Sequence, residues 1–106
     1  MRLLLLITSV SASLFEPQCA CLDRESLGRS TWNLLHEIVD NVEYNEKSNS
    51  AFCSLMDNLQ EIYPCKECRA HIGEYLEENP AEMTHEWLCT FHNEVNKRLN
   101  KPIVPC

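Results

Sequence analysis

Pro64 stands between two helical patterns, and the Cys65-Lys66-Glu67-Cys68 that follows it puts two thiols on the opening turn of the second. Phe52, Leu55, Met56, Leu59 and Ile62 recur at i, i+3, i+4, i+7 and i+10, the spacing of an amphipathic helix, and a proline halts such a run. A C-x-x-C that opens a helix can close into a small disulfide ring, and the helix N-terminus draws a thiol toward the reactive thiolate. The chain is thereby held to a helix, a tight turn and a second helix, with thiol chemistry at the junction.

Two chemistries fit that junction. Cys65, Cys68, Cys89 and His92 read as C-x2-C-x20-C-x2-H, acceptable spacing for a tetrahedral structural zinc. Cys106 stands in a C-x16-C with Cys89 and would remove one of the four ligands if that pair formed a disulfide. Beyond Cys89, the residues His92, Asn93, Val95, Asn96 and Leu99 lie at i, i+1, i+3, i+4 and i+7, so a helix shows imidazole and amide groups beside an apolar strip. A zinc module has no need of those amides.

The rest of the chain also reads as helix, with no alternating strand and only two glycines. Leu27, Trp32, Leu34, Leu35, Ile38 and Val39 mark a first helix over 26–42, which gives way to the polar stretch Glu43 to Asn49. The second runs through Phe52 to Ile62. The third starts at Cys65 and stops near Asn79, because Pro80 disfavours helix at the residue before it. Thr84 suits the N-cap of a fourth that reaches Leu99 and is ended by Asn100 and Pro102. The expected fold is all-α, a four-helix up-and-down bundle with room for a short fifth helix, any cofactor being held between facing helices.

With 106 residues the chain can build one modest core and gains from staples. Seven cysteines favour an oxidising setting, since a reduced cytosol holds few that are neither catalytic nor metal-bound. The net charge of -7 argues against nucleic acid or an anionic membrane as partner. Residues 1–22 form a separate, signal-like segment: Met1-Arg2, the apolar run Leu3 to Val10, then Ser11, Ala12 and Ser13, with cleavage expected after Ala12. The run is too short to span a bilayer, which takes about 20 apolar residues. A secretory or endoplasmic-reticulum location follows from this pattern, with the mitochondrial intermembrane space as the alternative, and 23–106 is the expected domain.

Three blocks then agree in order and spacing with a known family. Leu27-Gly28-Arg29-Ser30-Thr31-Trp32-Asn33-Leu34-Leu35-His36, Tyr63-Pro64-Cys65-Lys66-Glu67-Cys68, and Trp87-Leu88-Cys89 running on to Lys101-Pro102 and Cys106 resemble the Erv/ALR family of FAD-linked sulfhydryl oxidases. The resemblance covers about residues 24–106. It implies a FAD-dependent thiol oxidase that forms disulfides in protein or small-molecule dithiols and passes electrons through the C-x-x-C and the flavin to molecular oxygen, giving hydrogen peroxide. It also implies a homodimer. The alternative from another class is the non-enzymatic zinc module on Cys65, Cys68, Cys89 and His92.

Carried over position by position, the resemblance makes Cys68 the flavin-proximal cysteine and Cys65 the one that exchanges with incoming thiols. It pairs Cys89 with Cys106 in a structural disulfide. It lines the FAD with Arg24, Gly28, Arg29, Trp32, His36, Tyr63, Cys89, His92, Asn93, Val95, Asn96, Arg98, Leu99 and Lys101. Each has a plainer reading: Trp32 and His36 as core residues one turn apart, Arg29, Arg98 and Lys101 as solvated charges. Trp87 suits the core, His71 a surface helix position, and Cys53 a buried free thiol.

Two departures from the family pattern bear on function. Family members continue past the last cysteine with a segment that helps cover the adenine, so the end at Cys106 implies a looser hold on FAD or an incomplete chain. Cys19-Ala20-Cys21 lies directly before the domain, where the family carries an electron-relaying pair on a longer arm. A C-x-C ring suits a shuttle, but two or three linker residues reach only about 7 to 11 Å. A staple between subunits through Cys21 is the rival.

Overall fold

The computed structural model describes residues 23–106. The signal-like segment and the expected shuttle pair Cys19 and Cys21 lie outside the described residues. Among the described residues, those up to 30 and those from 31 on belong to two separate compact units.

Among the described residues there are four helices and no strand: α1 (Arg24–Asn41), α2 (Glu46–Ile62), α3 (Lys66–Glu78) and α4 (His85–Arg98). The fold is all-α. Each helix begins where a side chain can take up orphan amides. Within the first unit, the Asp23 carboxylate accepts the Ser26 N–H at 2.7 Å and so starts α1 two residues ahead of the expected start at 26. Asn45 and Ser48 form a reciprocal capping box at 2.8 and 2.9 Å, which starts α2 inside the polar stretch expected to be a break. Thr84 accepts the Trp87 N–H at 3.2 Å and caps α4.

Asn100 ends α4 with φ 60, a left-handed conformation that asparagine tolerates better than most residues. Residues 101–106 then run on without regular structure, so no fifth helix forms there. No helix among the described residues is long and apolar enough to cross a membrane.

The core lies within the second unit. Leu35 of α1, Phe52 and Met56 of α2, Ile72 of α3 and Leu88, Cys89 and Phe91 of α4 are buried, with Met83 from the α3–α4 link. Burying a side chain of this size contributes about 1.5–3 kcal/mol, and Met56 and Leu88 are the most completely buried. Trp87 joins this core edge-on to Phe52 and Tyr75, and its indole N–H reaches the Asn79 carbonyl at 3.3 Å. Helices α2 and α3 pack against each other across the three residues 63–65. At Gly73 the only near neighbour of a Cβ would be the Gln60 side-chain oxygen, at 3.0 Å.

Candidate functional site

The three residues between α2 and α3 build the redox turn. Tyr63 leaves α2 in an extended conformation, Pro64 follows, and Cys65 occupies the N-cap of α3. Cys65 and Cys68 are joined in a disulfide with their Cα atoms 5.2 Å apart. The Cys65 sulfur accepts the Cys68 backbone N–H at 3.3 Å. An N-cap sulfur sits where the helix presents its unsatisfied amides and positive dipole end, the environment that stabilises a thiolate. Both cysteines are partly exposed, so another thiol can reach the pair.

Tyr63 ties this turn to α1. Its ring is buried, and its hydroxyl shares a 2.9 Å hydrogen bond with Thr31. The residue after Thr31 begins an aromatic cluster between α1 and α4. Trp32 and His92 stack with ring centroids 3.9 Å apart and planes 7° from parallel, and Phe91 meets Trp32 edge-on. His36, one turn along α1, places Nε2 3.1 Å from His92 Nδ1. Burial pushes both imidazoles below the ordinary histidine value. For His36 a secondary push from His85 acts against the pull of Asp40, and for His92 the neighbouring His36 and Lys101 add to the effect of burial. The two rings are therefore neutral near pH 7, one nitrogen donating and the other accepting.

The remaining candidates are spread more widely. Cys89 is buried and disulfide-bonded to Cys106, their Cα atoms 5.8 Å apart. Asn93 does not face the ring cluster with a spare amide: it donates to the Val104 carbonyl at 2.6 Å and accepts the Val104 N–H at 3.0 Å. Asn96 donates to Asn93 at 3.3 Å and offers its own carbonyl to the Lys101 N–H. Arg98 pairs with Glu74 of α3 at 3.5 Å. Val95 is half-buried on α4, while Leu99 and Lys101 are exposed just beyond it. Arg24, Gly28 and Arg29 belong to the first unit, where Arg29 pairs with Glu25 at 3.9 Å.

The four zinc candidates do not gather. Cys65 and Cys68 are bonded to each other, Cys89 to Cys106, and His92 is committed to Trp32 and His36. Three sulfurs spent in disulfides have no thiolate to offer a metal. Cys53, expected to be buried, is half-buried and keeps a free thiol that donates to the Ala81 carbonyl at 3.1 Å; burial pushes its pKa up, with Asp57 and Glu82 adding to that.

Two contacts of the redox turn escaped the sequence. The Thr31 hydroxyl carries no motif signal apart from its place beside Trp32. Arg69, directly after Cys68, reaches back to donate to the Tyr63 carbonyl at 2.6 Å.

A family model described as Erv1 / Alr family matches residues 29–106. The rice FAD-linked sulfhydryl oxidase ERV1 is 39% identical over a match covering 86% of this chain and 50% of that protein. The mitochondrial FAD-linked sulfhydryl oxidase ERV1 of Saccharomyces cerevisiae is 32% identical, covering 79% and 48%. The chain thus spans about half the length of the curated relatives it matches. The crystal structure of the FAD binding domain of Erv1 from Saccharomyces cerevisiae superposes with a TM-score of 0.71 at 34% identity, over 80% of this chain and 88% of that one. The chain belongs to the Erv1 / Alr family.

Proposed function

We propose that the protein is a FAD-dependent thiol oxidase whose active group is the Cys65–Cys68 disulfide. The observation that carries this reading is the position of that disulfide: Cys65 caps α3 with its sulfur on the Cys68 amide, in a chain of the Erv1 / Alr family. A substrate thiolate attacks the Cys65 sulfur, the Cys65–Cys68 bond breaks and Cys68 leaves as a thiolate. The second substrate thiolate then attacks the substrate sulfur of the mixed disulfide and releases Cys65. The substrate departs as a disulfide and two electrons stay on the pair. Release of Cys65 is helped by the α3 N-terminus, which favours the leaving thiolate.

The residues present suit FAD. Trp32, His36 and His92 offer aromatic faces with neutral ring nitrogens, and Arg98 and Lys101 bring positive charge to the end of α4. Bound FAD would supply the two-electron acceptor that re-forms the disulfide and hands electrons to oxygen as hydrogen peroxide. Within 31–106 the proposed FAD-binding residues are those three, with Tyr63, Cys89, Asn93, Val95, Asn96, Arg98, Leu99 and Lys101. Of these, Asn93 acts by fixing the tail. The assignment of Arg24, Gly28 and Arg29 rests on the resemblance alone, as does 23–106 as the oxidase domain.

Protein or small-molecule dithiols are the proposed substrates. The homodimer is proposed from the family resemblance. The name of the yeast relative, a mitochondrial oxidase, favours a mitochondrial location over the secretory pathway. Purified protein should show a flavin spectrum and consume oxygen on addition of dithiothreitol. A colourless protein that consumes none after incubation with FAD would overturn the reading.

A further inference from the structure

Arg69 makes a contact that the thiol-exchange steps do not use. Its guanidinium Nη1 donates to the Tyr63 carbonyl at 2.6 Å, and the same oxygen accepts the Cys65 backbone N–H at 2.7 Å. The Arg69 backbone is already served by the Cys65 carbonyl in the first turn of α3, so helix formation does not call for the side-chain bond. One carbonyl oxygen therefore stands between a fixed cation and the amide of the cysteine that exchanges thiols. The opposite end of Tyr63 is held by Thr31. A tyrosine pinned at both ends leaves the Tyr63-Pro64-Cys65 turn little freedom, and proline already fixes one of its torsions. The arginine is partly buried, which strengthens a charge-assisted hydrogen bond relative to one in open water.

We propose that Arg69 is a positioning residue for the redox pair: it locks the turn that holds the Cys65 sulfur on the amide end of α3, and its charge favours the Cys65 thiolate once the disulfide is opened. The proposal rests on the thiol-oxidase reading. Opening by a dithiol breaks the Cys65–Cys68 bond, forms one disulfide in the substrate and moves two electrons to the pair. Of the two substrate protons, one ends on the Cys68 sulfur and the other passes to solvent, leaving Cys65 as thiolate. A cation that favours this product makes the pair easier to reduce and Cys65 a better leaving group. Lysine at 69 would keep the charge and lose the planar fork that grips the carbonyl. Glutamine would lose the charge.

The test uses the full chain with Arg69→Gln and Arg69→Lys. After reduction, iodoacetamide labelling of Cys65 is followed peptide by peptide across pH, and the Cys65–Cys68 pair is equilibrated against glutathione. Arg69→Gln should label Cys65 about tenfold more slowly at neutral pH, the effect of one pKa unit, with the labelling profile moved to higher pH. The pair should also become harder to reduce. Arg69→Lys should fall between wild type and glutamine, an order that loss of packing alone would not produce. If Arg69→Gln fails to fold, slower Cys65 labelling in Arg69→Lys supports the proposal. Profiles and glutathione equilibrium unchanged from wild type in the variants that fold overturn it. Neither measurement needs flavin turnover or oxygen, so failure here is distinct from failure of the oxidase reading, which flavin spectrum and oxygen uptake decide.

Discussion

His36 and His92, from α1 and α4, share one hydrogen bond of 3.1 Å between Nε2 and Nδ1, and only one of the two nitrogens can carry the proton. Both rings are held below the ordinary histidine pKa, burial being the first cause for each. A folded-state pKa below the unfolded one means that the unfolded chain binds protons first. The pair's contribution to stability is complete above the unfolded value of about 6.5 and is lost as pH falls below it toward the depressed folded values. The melting temperature of the wild type should drop between pH 7.5 and 5.5, and a His36→Gln, His92→Gln double variant should drop less over the same interval. Equal drops would show that the pair is not the titrating group.

Replacing Cys68 with serine should abolish dithiothreitol-driven oxygen uptake, and replacing Cys65 should do the same, because either change removes the Cys65–Cys68 disulfide proposed to pass the substrate electrons on. Bound flavin should survive both changes, since the proposed FAD residues of α1 and α4 are untouched. Oxygen uptake near the wild-type rate in either variant would sink the assignment.

Cys89→Ala and Cys106→Ala each open the same covalent loop, of sequence separation 17. Each should cost about 3 kcal/mol in the chain-entropy model, and the double variant no more than either single. Denaturant midpoints of the three proteins check this. A double variant destabilised by the sum of the singles would contradict the shared bond.

Gly73→Ala should stabilise the protein. The new methyl would meet only the far end of the Gln60 side chain, which can swing aside, whereas glycine inside a helix costs about 0.5–1 kcal/mol relative to alanine. Urea unfolding of the two proteins decides it, and a loss of stability would mean that Gln60 cannot move.

Most of the helical frame was legible because local rules set it. Pro64, Pro80 and Thr84 fix their boundaries through the backbone within a few residues, and the apolar spacing of Phe52 to Ile62 needs no tertiary help. The start of α2 was not legible from that spacing, since Asn45 and Ser48 cap each other in a stretch with no apolar pattern. Of the candidate site, the C-x-x-C at Cys65 and Cys68 was legible from the residues themselves, whereas the roles of Trp32 and His92 toward FAD came from the family resemblance. Arg69 and Thr31 could not be read, because their importance lies in meeting Tyr63, and that meeting depends on how α1, α2 and α3 come together. The bond between Asn93 and Val104 could not be read either, because it depends on how the chain turns back after Asn100.

That single side chain sets the alignment of the segment beyond α4. By donating to the carbonyl and accepting from the amide of one residue, Asn93 offers Val104 the same pair of bonds that a neighbouring strand would offer in one rung of a ladder. An all-helical protein thus obtains strand-like register without a strand. An aspartate at 93 could still accept the Val104 amide but could not donate to its carbonyl, and a leucine would do neither. Together with the Lys101 N–H on the Asn96 carbonyl, that one amide brings residue 106 opposite residue 89.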